Sequence, residues 1–213
     1  MTGDNEPRRL VMEGASTMGI SVEKTEADLL CTYLQELKTW NARINLTALK
    51  TDREIVEKHF LDSMGGLALI PAGKTGRFLD IGSGAGFPGL VIKIFRPELF
   101  FVLLEANGKK SAFLHHLAGT LKVKGLEILT QRLEKLESGK APFDVCLSRA
   151  VDQPGALLEE CRPLLSPGGS VMLYQGRPGK TGEAGFEGWR RSAHVYRLPF
   201  SKIDREIGSF TVV

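Results

Sequence analysis

Asp80-Ile-Gly82-Ser-Gly84-Ala-Gly86-Phe87-Pro88-Gly89 joins two apolar runs. Before it stands Arg77-Phe-Leu-Asp-Ile81, too short for a helix and apolar enough for a buried strand. After it, Gly89 to Phe95 predicts a buried helix that Pro97 stops. Strand, glycine-rich turn and helix in this order make a site where a ligand approaches backbone closely. Pro88 suits the first turn of the helix, where a missing N–H costs nothing.

Downstream the alternation continues. Strands are predicted at Phe100–Leu104, ending on Glu105, at 126–130, at 143–147 and at 170–174. Helices are predicted at 109–121, with Phe113, Leu117 and Leu121 on one stripe, and at 155–165, stopped by Pro167-Gly-Gly169. The tail offers two more strands, at 194–200 and 208–213. Strands that are apolar throughout and alternate with helices predict a parallel sheet covered on both faces. Ligands of such sheets bind beyond the carboxyl ends of the strands. Residues 176–187 are Gly-rich and aperiodic, which predicts a loop.

Upstream the chain reads as helical. Thr25 with Asp28 resembles a capping box, and Leu30, Tyr33, Leu34, Leu37 and Ile44 follow at helical spacing. A second helix is predicted from Asp52 to Leu67, with Val56, Phe60 and Met64 on one stripe and His59 and Asp62 together on a neighbouring face. The breakers between Pro71 and Gly76 divide a helical extension, residues 1–75, from a sheet-bearing core, residues 76–213.

Charge discriminates between two ligand classes. Gly84-x-Gly86-x-x-Gly89 satisfies the dinucleotide fingerprint, but Asp80 precedes the first glycine of the turn, Gly82, by two residues. A carboxylate there repels a pyrophosphate and attracts the ammonium and sulfonium of S-adenosylmethionine. Glu105 can accept from both ribose hydroxyls of either cofactor. A dinucleotide dehydrogenase therefore stays as the alternative, beside a non-catalytic RNA-binding module and a small-molecule methyltransferase.

Several blocks in order resemble a known family, the bacterial small-subunit ribosomal RNA guanine-N7 methyltransferases, also called the glucose-inhibited division protein B family. They are Lys38-Thr-Trp40-Asn41 with Asn45-Leu-Thr47, then His59-Phe-Leu-Asp62-Ser63, then the turn ending Phe87-Pro88-Gly89. Glu105 with Gly108-Lys109-Lys110 and Ser148-Arg149-Ala150 complete the set. The resemblance implies a Rossmann-like class I methyltransferase, a seven-stranded, mostly parallel α/β sheet with an N-terminal helical extension. It implies S-adenosylmethionine as cofactor and methyl transfer to N7 of a guanine in small-subunit (16S) ribosomal RNA, as naked RNA or in the subunit. By position, Gly82, Gly84 and Phe87 would border the methionine part, Glu105 the ribose, and Leu133 and Glu134 the adenine. Arg149 would lie by cofactor and substrate. Family members often carry Lys where this chain has Gln175 before Gly176, so a phosphate contact there would pass to another cation such as Arg177.

Guanine N7 has an in-plane lone pair and no proton at neutral pH, so its methylation needs alignment and exclusion of water rather than a general base. No residue is required as catalyst on this reading. Arg149 is the candidate, with a structural ion pair to Asp80 or a neighbouring acid as its bland alternative. Asn45, His59, Asp62, Lys109, Lys110 and Arg132 are candidates for RNA contact, as are Arg8 and Arg9. His59 with Asp62 can equally brace the helical extension on the sheet. Trp40 can stack on a base or belong to the core. The three cysteines, Cys31, Cys146 and Cys161, are odd in number and widely spaced, which excludes a disulfide framework and fits a reducing compartment. Cys146 and Cys161 read as buried small hydrophobes. His115 and His116 are adjacent and point different ways on a helix, so no metal site is expected. A net charge of +3 permits a nucleic-acid partner. With no long apolar run and an N-terminus rich in charge, a cytoplasmic, membrane-free monomer is expected.

Overall fold

The structure is a computed structural model that describes residues 5–137, 142–149, 151–176, 178–179 and 186–213. The strands β1 (Arg77–Ile81), β2 (Phe100–Leu104), β3 (Leu126–Leu129), β4 (Phe143–Arg149), β5 (Leu165–Gln175), β6 (Trp189–Arg197) and β7 (Asp204–Val212) form one sheet. Its order is β3-β2-β1-β4-β5-β7-β6. The first five strands pair in parallel, and β7 enters antiparallel between β5 and β6. This is the Rossmann-like class I architecture, with the order reversing beside β1 and β4.

The helices are α1 (Asn5–Thr17), α2 (Lys24–Ile44), α3 (Asp52–Ile55), α4 (Asp62–Met64), α5 (Gly89–Phe95), α6 (Gly108–Thr120) and α7 (Pro154–Cys161). Between α3 and α4, Val56–Leu61 is a π-helix, and a 3₁₀ segment, Gly65–Leu69, follows α4. The apolar stripes of α1 and α2 meet α5, α6 and one face of the sheet in a single cluster that includes Leu10, Leu34, Phe60, Phe78, Ile92 and Leu147. The N-terminal helices therefore share their core with the sheet. On the other face, α7 packs Leu158 and Cys161 against Cys146, Val171 and Phe210. Both cysteines are fully buried, and the Cys161 thiol beside Cys146, together with burial, pushes the Cys146 thiol up.

Three elements differ from the sequence reading. The capping box of α2 is Glu23 with Glu26, not Thr25 with Asp28: the cap lies two residues earlier, and Asp28 pairs with Arg8 on α1. The predicted helix 155–165 stops at Cys161, where Pro163 removes an amide and turns Arg162–Leu164 into a 3₁₀ segment. Strand β5 then begins at Leu165 and carries Pro167-Gly168-Gly169 inside it. The predicted helix 52–67 is continuous along the chain but changes pitch three times, from α to π, back to α and then to 3₁₀. Two tyrosine hydroxyls meet it at that end: Tyr174 donates to the Ser63 carbonyl at 2.9 Å and Tyr196 to the Asp62 carbonyl at 3.0 Å. Their rings fit because Gly65 and Gly66 lack side chains; a Cβ on either would overlap Tyr196 or Tyr174.

Tyr33 of α2 fastens the helical extension to the glycine turn. Its hydroxyl donates to the Ala85 carbonyl at 2.5 Å, and its ring stacks on Phe87 with centroids 5.2 Å apart. Tyr33→Phe keeps the stack and removes the bond, which leaves a buried carbonyl short of its partner. It is expected to cost about 1–2 kcal/mol in urea unfolding with an unchanged m-value.

Candidate functional site

The register Ile81↔Ser148 sets the ends of β1 and β4 side by side, so the next residues, Gly82 and Arg149, are neighbours at the carboxyl edge of the sheet. The Ser148 hydroxyl ties the two ends together by donating to the Ile81 carbonyl at 3.0 Å. The turn itself hangs from β2: the amides of Gly82 and Ser83 both donate to the Leu104 carbonyl, at 2.8 and 3.1 Å.

The four glycines of the turn do two different jobs. Gly82 (φ 68°) and Gly84 (φ 59°) are left-handed and face open space, since a Cβ on Gly82 would meet nothing within 4 Å and one on Gly84 only a backbone oxygen at 3.8 Å. They form an open backbone cradle. Gly86 and Gly89 are filled from behind: a Cβ would lie 2.5 Å from the Tyr33 hydroxyl and 2.6 Å from the Asp80 carboxylate respectively.

Two carboxylates flank the cradle. Asp80 is fully buried; its Oδ2 accepts from the Gly89 amide at 3.0 Å, while its Oδ1 is buried without a partner among the described residues. Burial, opposed by the Gly89 and Ser83 hydrogen bonds and by Arg149, and assisted by Glu105, raises its pKa to about 6. Glu105 accepts from the Gly84 amide at 2.8 Å and from the Asn107 amide at 2.7 Å, so it links the turn to the start of α6. An unmatched buried carboxylate oxygen beside an open glycine cradle suits a cation. A pyrophosphate finds no room for its charge: the α5 amide that would meet it is bonded to Asp80.

Arg149 stands between this cradle and a cavity of about 420 Å³ lined by Thr47, Leu49, Lys58, His59, Asp62, Tyr174 and Arg205. Its guanidinium donates through Nη1 to the Lys58 carbonyl at 3.2 Å and through Nη2 to His59 Nδ1 at 3.2 Å. Asp62 Oδ2 lies 3.6 Å from Nη1, and the Phe87 ring centroid lies 5.3 Å from the guanidinium carbon. The ion pair of Arg149 is thus with Asp62, not Asp80. The guanidinium cannot accept, so His59 Nδ1 is the unprotonated nitrogen and Nε2 donates to Thr47 Oγ1, at 2.8 Å. Burial first, and then Arg149, lowers the His59 pKa to about 3. His59 is therefore neutral, and its ring stacks on Phe87 with centroids 4.4 Å apart.

The other residues singled out in the sequence are placed as follows. Asn45 is exposed and forms the left-handed C-cap of α2 (φ 52°). Trp40 is half-buried against Phe113 and His116 of α6, with centroids 5.6 and 5.1 Å away. Leu133 is buried in the short turn after β3, and Glu134 is exposed there. Lys109 and Arg132 are exposed and Lys110 is half-buried, following β2 and β3 at the same edge of the sheet. Arg9 pairs with Glu13 on α1, at 3.1 Å. Ala150 and Arg177 lie outside the described residues. Among the described residues no cluster of three His, Cys, Asp or Glu could hold a metal, and no helix is long and apolar enough to cross a membrane. Sequence reasoning placed Tyr33 on an apolar helical stripe and Tyr174 at a strand end but gave neither a role at the site, nor one to Tyr196 or Arg205. The only signal for the tyrosines was a hydroxyl on an apolar face or strand, which must find a partner once buried.

A family model described as GidB, rRNA small subunit methyltransferase G, matches residues 26–187. The chain belongs to this family. Among similar curated proteins, the ribosomal RNA small subunit methyltransferase G of Roseiflexus castenholzii is 40% identical over 76% of this chain and 70% of its own. That of Myxococcus xanthus is 35% identical over 92% and 93%. A solved S-adenosylmethionine-dependent methyltransferase from Aquifex aeolicus, 15% identical, covers 75% of this chain and 93% of its own with a TM-score of 0.56 and shares the fold. The match to the GidB family begins inside α2 and so takes in Tyr33, the π-helix and the glycine turn together.

A histidine with both nitrogens engaged and a pKa near 3 does not titrate near neutrality. NMR of the imidazole is expected to show His59 in the Nε2–H form from pH 8 down to 5. Because its folded pKa lies below the ordinary 6.5, its contribution to stability is present above pH 6.5 and is lost as pH falls toward 3. A midpoint near 6.5 in the folded protein would contradict the arrangement.

Proposed function

We propose that the protein transfers the methyl group of S-adenosylmethionine to N7 of a guanine in small-subunit (16S) ribosomal RNA. The observation that carries the cofactor assignment is the unpartnered, buried Asp80 Oδ1 beside the open faces of Gly82 and Gly84. In this reading Asp80 and the two glycines meet the cationic methionine part, and Glu105 the ribose. Leu133 and Glu134 border the adenine, and Phe87 closes the floor. S-adenosylmethionine, when bound, supplies an electrophilic methyl group on a sulfonium.

The residues of this chain then have to align an acceptor and keep water out. The cavity beside Arg149, of about 420 Å³, has room for a single base, and Leu49 and Tyr174 are among its lining residues. Arg149 separates the cradle from the cavity, so both reacting partners would face it. Neither nitrogen of His59 is free to take a proton. That absence suits guanine N7, whose lone pair needs no general base. Lys109, Lys110 and Arg132 sit on the same edge as the cradle and are assigned to RNA phosphate, as is Asn45 at the rim. The segment 1–75 serves as a scaffold for the substrate side of the site, and 76–213 as the cofactor-binding core. A monomer acting in the cytoplasm on the ribosomal subunit or its RNA completes the reading. The rival dinucleotide dehydrogenase loses its support because the Gly89 amide at the start of α5 already donates to Asp80, whose carboxylate repels a pyrophosphate.

Two measurements test it. Small ribosomal subunits from a strain lacking this family's enzyme, incubated with the protein and methyl-labelled cofactor, are expected to yield labelled 7-methylguanosine; another methylated nucleoside would refute the acceptor. Calorimetry should show the affinity for S-adenosylmethionine rising with pH as Asp80 ionises through about 6, approaching about tenfold per unit below that value and levelling above it. Asp80→Asn should flatten the profile. A wild-type affinity independent of pH between 5 and 7 would overturn the role of Asp80.

A further inference from the structure

Arg149 is anchored from behind by a single helical turn. The π-helix Val56–Leu61 supplies the Lys58 carbonyl and His59, and Asp62 follows it directly. A π-turn bonds each amide five residues back, so carbonyls and side chains are offset from their α-helical positions and acceptors can converge on one point. Asp62 is itself held. Its Oδ1 accepts from the Tyr196 hydroxyl at 2.8 Å and faces Arg205 Nε at 3.3 Å, which turns Oδ2 toward Arg149. Tyr196 belongs to β6, the edge strand, and its single O–H is shared between Oδ1 and the Asp62 carbonyl, with Oδ1 the nearer.

We propose that Asp62 is a positioning residue for methyl transfer, acting through Arg149, and that the Tyr196 hydroxyl sets the orientation in which it does so. The proposal rests on the methyltransferase reading above. Geometry makes it specific to one oxygen. Oδ1 serves Tyr196 and Arg205, and Oδ2 alone faces Arg149. In Asp62→Asn the carbonyl oxygen can keep the Oδ1 contacts while an NH₂ group faces the guanidinium, donor against donor. In Tyr196→Phe the carboxylate loses the bond that fixes its rotation.

The test is a double-mutant cycle on turnover at saturating cofactor and RNA, with melting temperature and the KM for RNA measured alongside. Asp62→Asn is expected to lower kcat about tenfold, and Tyr196→Phe about threefold, with KM changed less than about twofold. In an Arg149→Lys background, Asp62→Asn should cost less than about twofold, because the group it acts through has gone. Equal factors in both backgrounds, or a loss that disappears with Arg205→Lys instead, would overturn the proposal. Crystal structures of the two single variants give a readout free of turnover. The Arg149 guanidinium should leave the Lys58 carbonyl in both, and an unmoved guanidinium would count as refutation. A wild-type protein that methylates nothing sinks the methyltransferase reading itself, whereas an active wild type with additive variants sinks only the relay.

Discussion

A guanidinium at the mouth of a parallel sheet has to be matched, and the way Arg149 is matched organises this molecule. Its side chain is only partly exposed, and the carboxylate opposite, Asp62, is nearly buried. An ion pair so placed recovers its desolvation cost only when further hydrogen bonds complete both partners. Here the Lys58 carbonyl and His59 Nδ1 take two guanidinium donors, and Tyr196 completes the carboxylate. Three of the four groups around Arg149 are uncharged acceptors or a ring face, so its charge is offset by Asp62 alone among them. A charged His59 would repel it, which is why burial of the imidazole and its low pKa belong with the same arrangement.

That arrangement makes the N-terminal helices part of the site rather than an addition to it. Every group that holds Arg149 from behind comes from residues 58–62, and the Tyr33 hydroxyl and ring hold the glycine turn from α2. Phe87 is the shared element. It stacks on both Tyr33 and His59, and the Arg149 guanidinium lies over its ring. A shift of α2 would therefore be felt at the cradle and at the cavity together. The shared apolar cluster explains how such a shift is resisted: α1, α2 and the π-helix bury their stripes against the same side chains that line the sheet.

The sheet, its central strands and the glycine turn were legible in the sequence, because buried parallel strands are apolar throughout and end on glycine or acid. Asp80, Glu105 and Arg149 stand out on the same ground, as charges closing apolar runs. The partners of Arg149 were not legible. His59 and Asp62 could be placed on one helical face, but their convergence depends on a π-helix, and no residue pattern in Val56–Leu61 distinguishes that pitch from an α-helix. Nor does the pattern show that Tyr174 and Tyr196 fill the space over Gly65 and Gly66 at the far end of the same run. The helix end at Cys161 was readable in principle from Pro163, and the weaker stop at Pro167-Gly168-Gly169 masked it. The choice of Glu23 over Thr25 as the cap of α2 follows from tertiary contact, since Asp28 is needed by Arg8.

The same turn that reads as a dinucleotide fingerprint is built against one. A pyrophosphate site needs the third glycine for close packing and the helix amides for its oxygens. In this chain the Gly89 amide already donates to Asp80, and the space over Gly89 holds that carboxylate. Asp80 thus spends one oxygen on the Gly89 amide and leaves the other buried and unmatched among the described residues. With a pKa raised to about 6, it is mostly ionised at neutral pH and destabilised by burial in that state. A cation arriving over Gly82 and Gly84 relieves that destabilisation, and a neutral or anionic ligand does not. In the proposed reading, selectivity for a cationic cofactor rests on the burial of that one carboxylate.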